Sequence, residues 1–88
     1  MRVISQCGAM DIPYESVVLS LVDNGNGCSV MAFYDFISSG VTVARYSTEG
    51  KAKDAMSYLH AKYNEFIFDK YANYKIDATF RFPADNEV

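Results

Sequence analysis

The sequence lacks most of the residues and motifs on which metal, cofactor and catalytic sites depend. Its 88 residues include one histidine, two cysteines and no tryptophan. A zinc site needs three or four ligands, and neither Cys7 nor Cys28 lies at ligand spacing from His60. Phosphate-loop, dinucleotide and nucleophile-elbow motifs are also absent. The sequence predicts no cofactor, metal or catalytic residue, although a Cys–His pair formed in space stays open.

Long apolar runs and clusters of basic residues are missing as well. No stretch approaches the ~18 apolar residues of a membrane span, and the N-terminus has no signal-peptide pattern. Eight basic and eleven acidic residues give a net charge of −3, without the basic cluster that phosphate groups require. We therefore expect a cytoplasmic protein that binds neither membrane nor nucleic acid directly. We expect two reduced thiols packed as small hydrophobic residues, with a disulfide as the alternative.

The residues that are present predict a single α+β domain over 1–88. Half of them are hydrophobic, which is typical of a folded chain with one modest core. The predicted fold is an antiparallel β-meander sheet of about four to five strands, with one amphipathic helix packed across one face. Its strand segments follow from alternation and turn residues: a hairpin within 1–14, strands at 16–22 and 28–37, turns at 23–27 and 38–40, and strands at 41–46 and 78–82.

The stretch YSTEGKAKDAMSYLHAKYNEF, residues 46–66, predicts the helix. Ser47 is the expected N-cap, so the helix should start at Ser47 or Thr48. His60 falls on the polar side and is expected to be a solvated side chain. The end of the helix stays open between Phe66 and Tyr74. An apolar stripe at helical spacing should face the sheet: Ala52, Ala55, Met56, Leu59, Tyr63 and Phe66.

Aromatic residues are unusually frequent, with seven tyrosines and six phenylalanines. We assign Tyr63, Phe66, Phe80 and Phe82 to the interface between helix and sheet. A core of this size cannot easily hold the other aromatic side chains of the last third of the chain. Tyrosine-rich patches are favoured at protein interfaces, and scattered exposure without a function is the alternative. The candidate protein-binding residues are Tyr58, Phe68, Tyr71 and Tyr74.

Four segments, in order, carry a resemblance: MRVISQ, DIPYE, ARYSTEGKAKDAM and FRFPADNEV. With them the chain resembles a group of small uncharacterised proteins of Firmicutes and their prophages. The segments cover about half of the chain. Gly50 departs from the pattern, which has a second glutamate after Glu49. The resemblance implies an origin in a bacterial mobile element and assigns no activity to any residue.

Three functional hypotheses follow, in decreasing order. The first is a non-catalytic module that binds a host protein or protein complex, and the specific role considered is inhibition of a host defence complex such as a CRISPR nuclease. The second is a self-associating, homodimeric phage accessory protein that pairs through an exposed strand edge or the tyrosine patch. The third is an enzyme or small-ligand domain, which ranks last because the sequence shows no convergent polar residues.

Overall fold

Alternating apolar residues and glycine-rich turns divide most of the chain into short strands, and one long segment forms a helix. The computed structural model describes residues 1–34, 37–71 and 79–88, with side chains throughout except at 37–39 and 69–71. Short 3-10 helices span Tyr14–Ser16 and Asp85–Glu87. The strands and the helix of these ranges are β1 (Arg2–Ile4), β2 (Asp11–Pro13), β3 (Val18–Asp23), β4 (Cys28–Tyr34), β5 (Ile37–Tyr46), α1 (Glu49–Tyr71) and β6 (Thr79–Arg81).

The described strands form two sheets. The order β3-β4-β5 is an antiparallel meander, and β2-β1-β6 is a second sheet in which β1 pairs antiparallel with β2 and parallel with β6. The predicted α+β class and the meander are confirmed, but six strands in two sheets replace a single sheet of four to five. The difference arises because β6 pairs with the distant N-terminal strand, which local alternation cannot indicate.

The turn predicted at 23–27 connects β3 and β4. The backbone N–H of Asn24 donates to the carbonyl of Gly27 at 3.2 Å, and the Asp23 carboxylate accepts from Gly25 N–H at 2.9 Å. Gly27 has a φ of 151°, and a Cβ there would lie 2.3 Å from the carbonyl oxygen of Tyr46. Glycine is therefore required both by the conformation and by the close approach of the next strand.

The turn predicted at 38–40 is wrong, since these residues lie within β5, which begins at Ile37. Gly40 has a φ of 68° and sits where the pairing of β4 with β5 shifts register. A Cβ on Gly40 would come within 2.6 Å of the Phe33 ring. The glycine therefore marks a β-bulge against an aromatic ring, and a bulge and a turn have the same local sequence signal.

The helix α1 lies across one face of the meander, as predicted, and runs to Tyr71. Lys51 N–H donates to the Thr48 hydroxyl at 3.1 Å, so Thr48 is the N-cap and the assignment of Ser47 is wrong. Ala52, Ala55 and Leu59 are buried, and the small alanines allow the helix to lie close to the sheet. In the described ranges, no helix is long and apolar enough to cross a membrane.

Gln6 joins the two sheets through both its backbone and its side chain. Its N–H donates to the Val43 carbonyl on β5 at 2.8 Å. Its side-chain oxygen accepts from Arg45 N–H at 2.9 Å, while its Nε2 donates to the carbonyls of Arg45 at 3.0 Å and Pro83 at 3.1 Å. Gln6 thus continues the edge of β5 and fixes it to the N-terminal and C-terminal segments.

Replacing Gln6 by alanine should lower the free energy of unfolding by about 1–2 kcal/mol, because it removes three side-chain hydrogen bonds at a partly solvated junction. Urea unfolding followed by circular dichroism measures this change. Asn86→Ala is the matched control, since Asn86 is an exposed amide near the same end of the chain. Equal stability of the two variants would show that Gln6 does not hold the sheets together.

The last residues of the chain are bound to the start of α1. Ser47 donates to the Asp85 carboxylate from its backbone N–H at 2.7 Å and from its hydroxyl at 3.1 Å. Lys51 Nζ lies 3.3 Å from the same carboxylate. These groups stabilise the charged form, and the hydrogen bond from the Ser47 backbone does most to lower the pKa of Asp85. Ser47 therefore contacts the C-terminal segment instead of capping the helix.

Candidate functional site

Tyr58 and Phe68 lie on the surface of α1 that faces away from the sheet. Their side chains are 52% and 72% exposed. Ten residues separate them, which places them about 15 Å apart along the helix axis. Ala61 and Glu65 lie between them at helical spacing and are also exposed. We call this strip of Tyr58, Ala61, Glu65 and Phe68 the outer helix surface.

Two of the four candidate binding residues can therefore be placed, and they share one side of the helix. Tyr58 and Phe68 are spaced along the strip instead of touching one another. Tyr71 is the last residue of α1, but its side chain lies outside the described part of the structure, and Tyr74 lies outside the described residues altogether. The sequence pattern correctly placed Tyr58 and Phe68 outside the core.

The four aromatic residues assigned to the interior form two separate groups. Tyr63 and Phe66 are half-buried on α1 with ring centroids 6.0 Å apart, and the Tyr63 ring lies 4.6 Å from that of Tyr14. Phe80 lies on β6 and Phe82 directly follows that strand, and their rings make an edge-to-face contact at 5.3 Å. Phe82 is buried in the same core as Leu59, and Phe80 packs against that core, as expected. Tyr63 and Phe66 form the second group further along α1 and are not fully buried.

Tyr14 contacts the middle of α1 through Tyr63. It opens the short helix between β2 and β3 and is half-buried against the core. Burial is the main reason that the pKa of its hydroxyl is raised, and nearby Tyr63 and Glu15 raise it further. The contact between the Tyr14 and Tyr63 rings packs the middle of α1 against the segment that connects β2 and β3.

A second exposed apolar set lies on β3. Val18 and Val22 are 66% and 40% exposed and lie on the face opposite α1, whereas Leu19 and Leu21 are half-buried and pack against the core. In the described part of the chain, β3 pairs with β4 alone. We call the unpaired side of Val18–Val22 the open β3 edge. The sequence predicted an exposed strand edge as one surface for self-association but not which strand supplies it.

The residues with reactive or titratable side chains are spread over the molecule. His60 is exposed on the polar side of α1, as predicted, and both cysteines are free thiols. Cys28 is buried, which raises its pKa, but Cys7 is exposed, so the prediction of a packed thiol is wrong for Cys7. A hydrogen bond with Ser5 lowers the pKa of Cys7. Among the described residues, no group of three His, Cys, Asp or Glu side chains is placed to hold a metal ion.

An open cleft of about 500 Å³ lies beside the C-terminal segment and is lined by Gln6, Arg81, Phe82, Pro83, Ala84 and Glu87. Its polar groups take part in hydrogen bonds of the fold. The Gln6 amide is bonded to β5 and to Pro83, Arg81 donates to the Gln6 carbonyl at 3.3 Å, and Glu87 accepts from Ala84 N–H at 2.8 Å. The cleft is thus bordered by structural contacts, and the exposed apolar surfaces are the stronger candidate sites.

Comparison with known proteins does not assign the chain to a family. No family model, curated protein or solved structure matches the chain. The outer helix surface and the open β3 edge are therefore the candidate binding surfaces of this protein. These two surfaces carry the large hydrophobic side chains that are exposed in the described residues: Val18, Val22, Tyr58 and Phe68.

Proposed function

We propose that this protein is a non-catalytic binding module of bacterial mobile-element origin that acts by contacting a host protein. The observation that carries the proposal is the exposure of Tyr58 and Phe68 on the outer helix surface. Large aromatic side chains in water offer contact area, and such residues are enriched at protein interfaces. The resemblance to prophage proteins supports the origin and favours a component of a host defence complex as the partner.

The shape and composition of the outer helix surface suit an extended apolar groove in the partner. Two aromatic side chains about 15 Å apart on one side of a helix resemble the anchors with which helices bind grooves. Binding would cost little side-chain conformational entropy, because Tyr58 and Phe68 each have only two χ angles to be fixed. The buried stripe of Ala52, Ala55 and Leu59 keeps the opposite side of the helix on the sheet.

Replacing Tyr58 and Phe68 together by serine should weaken partner binding by about 1 kcal/mol or more for each residue, the usual threshold for an interface residue that matters. The tagged wild-type protein and the variant are used to capture partners from a bacterial host lysate, with quantification by mass spectrometry. Binding of the purified partner is then measured by titration calorimetry. Stability should change little, because both side chains are exposed in the free protein.

The control is His60→Ala, which changes an exposed side chain of the same helix outside the outer helix surface. We expect its partner binding and its unfolding curve to match those of the wild type. If the captured partner binds the Tyr58 and Phe68 double variant as tightly as the wild type, the outer helix surface is not the binding site. A fall in binding for His60→Ala alone would place the site on the polar side of the helix.

Self-association is the second candidate function, and the open β3 edge is the observation that favours it. An unpaired strand exposes a row of backbone donors and acceptors that another strand can join. This surface lies on the meander and does not involve Tyr58 or Phe68. The two functions can therefore be separated by variants that change one surface at a time.

A further inference from the structure

The open β3 edge has a defined hydrogen-bonding pattern. The backbone bond between Asn24 and Gly27 starts the ladder, and the register then pairs Val22 with Ser29 and Ser20 with Met31. Hydrogen-bonded pairs alternate along an antiparallel ladder, so the even-numbered residues of β3 bond to β4. Leu19 and Leu21 consequently direct their N–H and C=O groups away from β4. These groups are the available donors and acceptors of the open edge.

The other described edges have features that hinder pairing with another strand. Gln6 occupies the edge of β5 at Val43 and Arg45, and the bulge at Gly40 interrupts the preceding part of that strand. The edge strand β2 has three residues and ends in Pro13, and β6 has three residues and ends in Arg81. Short length, proline and charge are the usual means by which proteins protect sheet edges. Val18–Val22 has no charge, proline or register shift, so β3 is the unprotected edge.

The sequence of this edge, Val18-Leu19-Ser20-Leu21-Val22, reads the same in both directions. We propose that two copies of the protein pair antiparallel through β3 around a two-fold axis at Ser20. The meanders would then form one continuous six-stranded sheet. A two-fold interface requires a surface that is complementary to itself, and a palindromic strand satisfies this condition at each position. This inference rests on the second candidate function, self-association through the open β3 edge, and adds to it the strand direction, the register and the symmetry axis.

In the register around Ser20, the backbone groups of the two copies form hydrogen bonds and their exposed side chains pack against each other. Leu19 faces Leu21 of the second copy, so the outward N–H and C=O groups of these residues bond to one another. Val18 faces Val22 of the second copy at a non-hydrogen-bonded position, where opposing side chains are closest. The contact between Val18 and Val22 therefore occurs twice, once at each end of the paired strands, and each exposed valine is covered once. Ser20 faces its own symmetry mate at the axis.

Charge and size are also compatible with this pairing. Asp23 of one copy lies opposite Val17 of the other, so the two Asp23 carboxylates are ~20 Å apart along the strand pair and do not repel strongly. The paired segment is short, and an interface of this kind buries less than the ~1,200 Å² at the low end of stable complexes. The dimer should therefore form reversibly and depend on protein concentration.

A pair of charge variants tests the register directly by sedimentation velocity from ~10 µM to ~1 mM protein, the range in which weak dimers dissociate. In Val18→Lys/Val22→Lys, lysine faces lysine at both contacts, and dimerisation should be lost. In Val18→Lys/Val22→Glu, lysine faces glutamate at both contacts, and dimerisation should exceed that of the first variant by at least ~10-fold. Positions 18 and 22 are exposed in the single chain, so both variants should fold like the wild type.

A cross-linking experiment tests the two-fold axis independently. In a Cys7→Ser background, Ser20→Cys should form an intermolecular disulfide under mild oxidation, because residue 20 faces itself across the axis. Ser57→Cys is the matched control on the exposed surface of α1 and should stay monomeric on a non-reducing gel. A wild type that is monomeric at ~1 mM would overturn the dimer. Equal association of the two charge variants, or equal cross-linking of the two cysteine variants, would overturn this register.

The dimer and the host-protein contact can fail separately. The charge variants at Val18 and Val22 should leave capture of a host partner unchanged, since that proposal uses the outer helix surface. The serine variant at Tyr58 and Phe68 should leave sedimentation unchanged. Loss of dimerisation in the serine variant would assign self-association to the helix and contradict the pairing of β3.

Discussion

Replacing Phe82 by alanine is expected to lower the free energy of unfolding by about 3–5 kcal/mol. Phe82 is only 1% exposed, and its ring packs edge to face on Phe80. Its N–H also donates to the Ile4 carbonyl at 3.2 Å, which places the ring in the core beside the N-terminal strands. Truncation leaves a cavity where the two ends of the chain meet. Urea unfolding followed by circular dichroism measures the loss.

Phe68→Ala is the matched control for Phe82→Ala, because it removes the same side chain from a position that is 72% exposed. We expect it to change the free energy of unfolding by less than ~0.5 kcal/mol, as for other surface substitutions. Small domains can be stable by as little as ~5 kcal/mol, and a loss of 3–5 kcal/mol would remove more than half of that free energy. Phe82→Ala should therefore be partly unfolded at 37 °C. Similar unfolding curves for the two variants would show that Phe82 does not belong to the core.

Leu59→Ala is expected to cost about 2–5 kcal/mol for the same combination of lost burial and cavity formation. Leu59 is fully buried where α1 crosses the meander, and its neighbours on the buried side of the helix are the small residues Ala52 and Ala55. These alanines cannot fill the space that Leu59 would leave. The cost should appear in urea unfolding as a lower midpoint with an unchanged slope.

The neighbouring residue supplies the control for Leu59→Ala. His60→Ala should stay within ~0.5 kcal/mol of the wild type, because His60 is exposed on the polar side of α1. Leu59 and His60 are adjacent in the chain but lie on different sides of α1, so the two variants compare the buried side of the helix with the exposed side. If Leu59→Ala were as stable as His60→Ala, the helix would not lie against the meander through this side.

Local sequence patterns predicted the elements whose physics is local. The turn at 23–27 and the helical stripe from Ala52 to Phe66 depend on backbone preference and on periodic burial, and both are visible within a few residues of sequence. The turn and the burial of Ala52, Ala55 and Leu59 were predicted correctly for that reason, whereas Tyr63 and Phe66 at the end of the stripe are not fully buried. The prediction was wrong at Gly40. The segment Ser38-Ser39-Gly40 predicted a turn, but in the structure Gly40 lies at a bulge against Phe33. A single glycine indicates positive φ but not which tertiary contact requires it.

Contacts between distant segments could not be predicted from such patterns. Ser47 has the residue type of an N-cap, yet the Asp85 carboxylate binds its N–H and its hydroxyl, and Thr48 caps the helix. Gln6 has no local signal at all, although it connects β5 with both ends of the chain. Each of these contacts depends on where a segment nearly forty or more residues away is placed.

The sequence by itself determined the α+β class, the meander and the amphipathic helix, and it identified Tyr58 and Phe68 as aromatic residues outside the core. It also contains the palindrome at Val18–Val22, which indicates symmetric pairing only once β3 is known to lie at the edge of a sheet. Only the tertiary structure decided that β6 joins β1 in a second sheet, that Gln6 occupies the edge of β5, and that β3 pairs with β4 alone among the described strands and so has one open edge. Alternation within a strand shows which side chains are buried, but edges depend on which strands become neighbours, and that is settled by contacts across the whole chain.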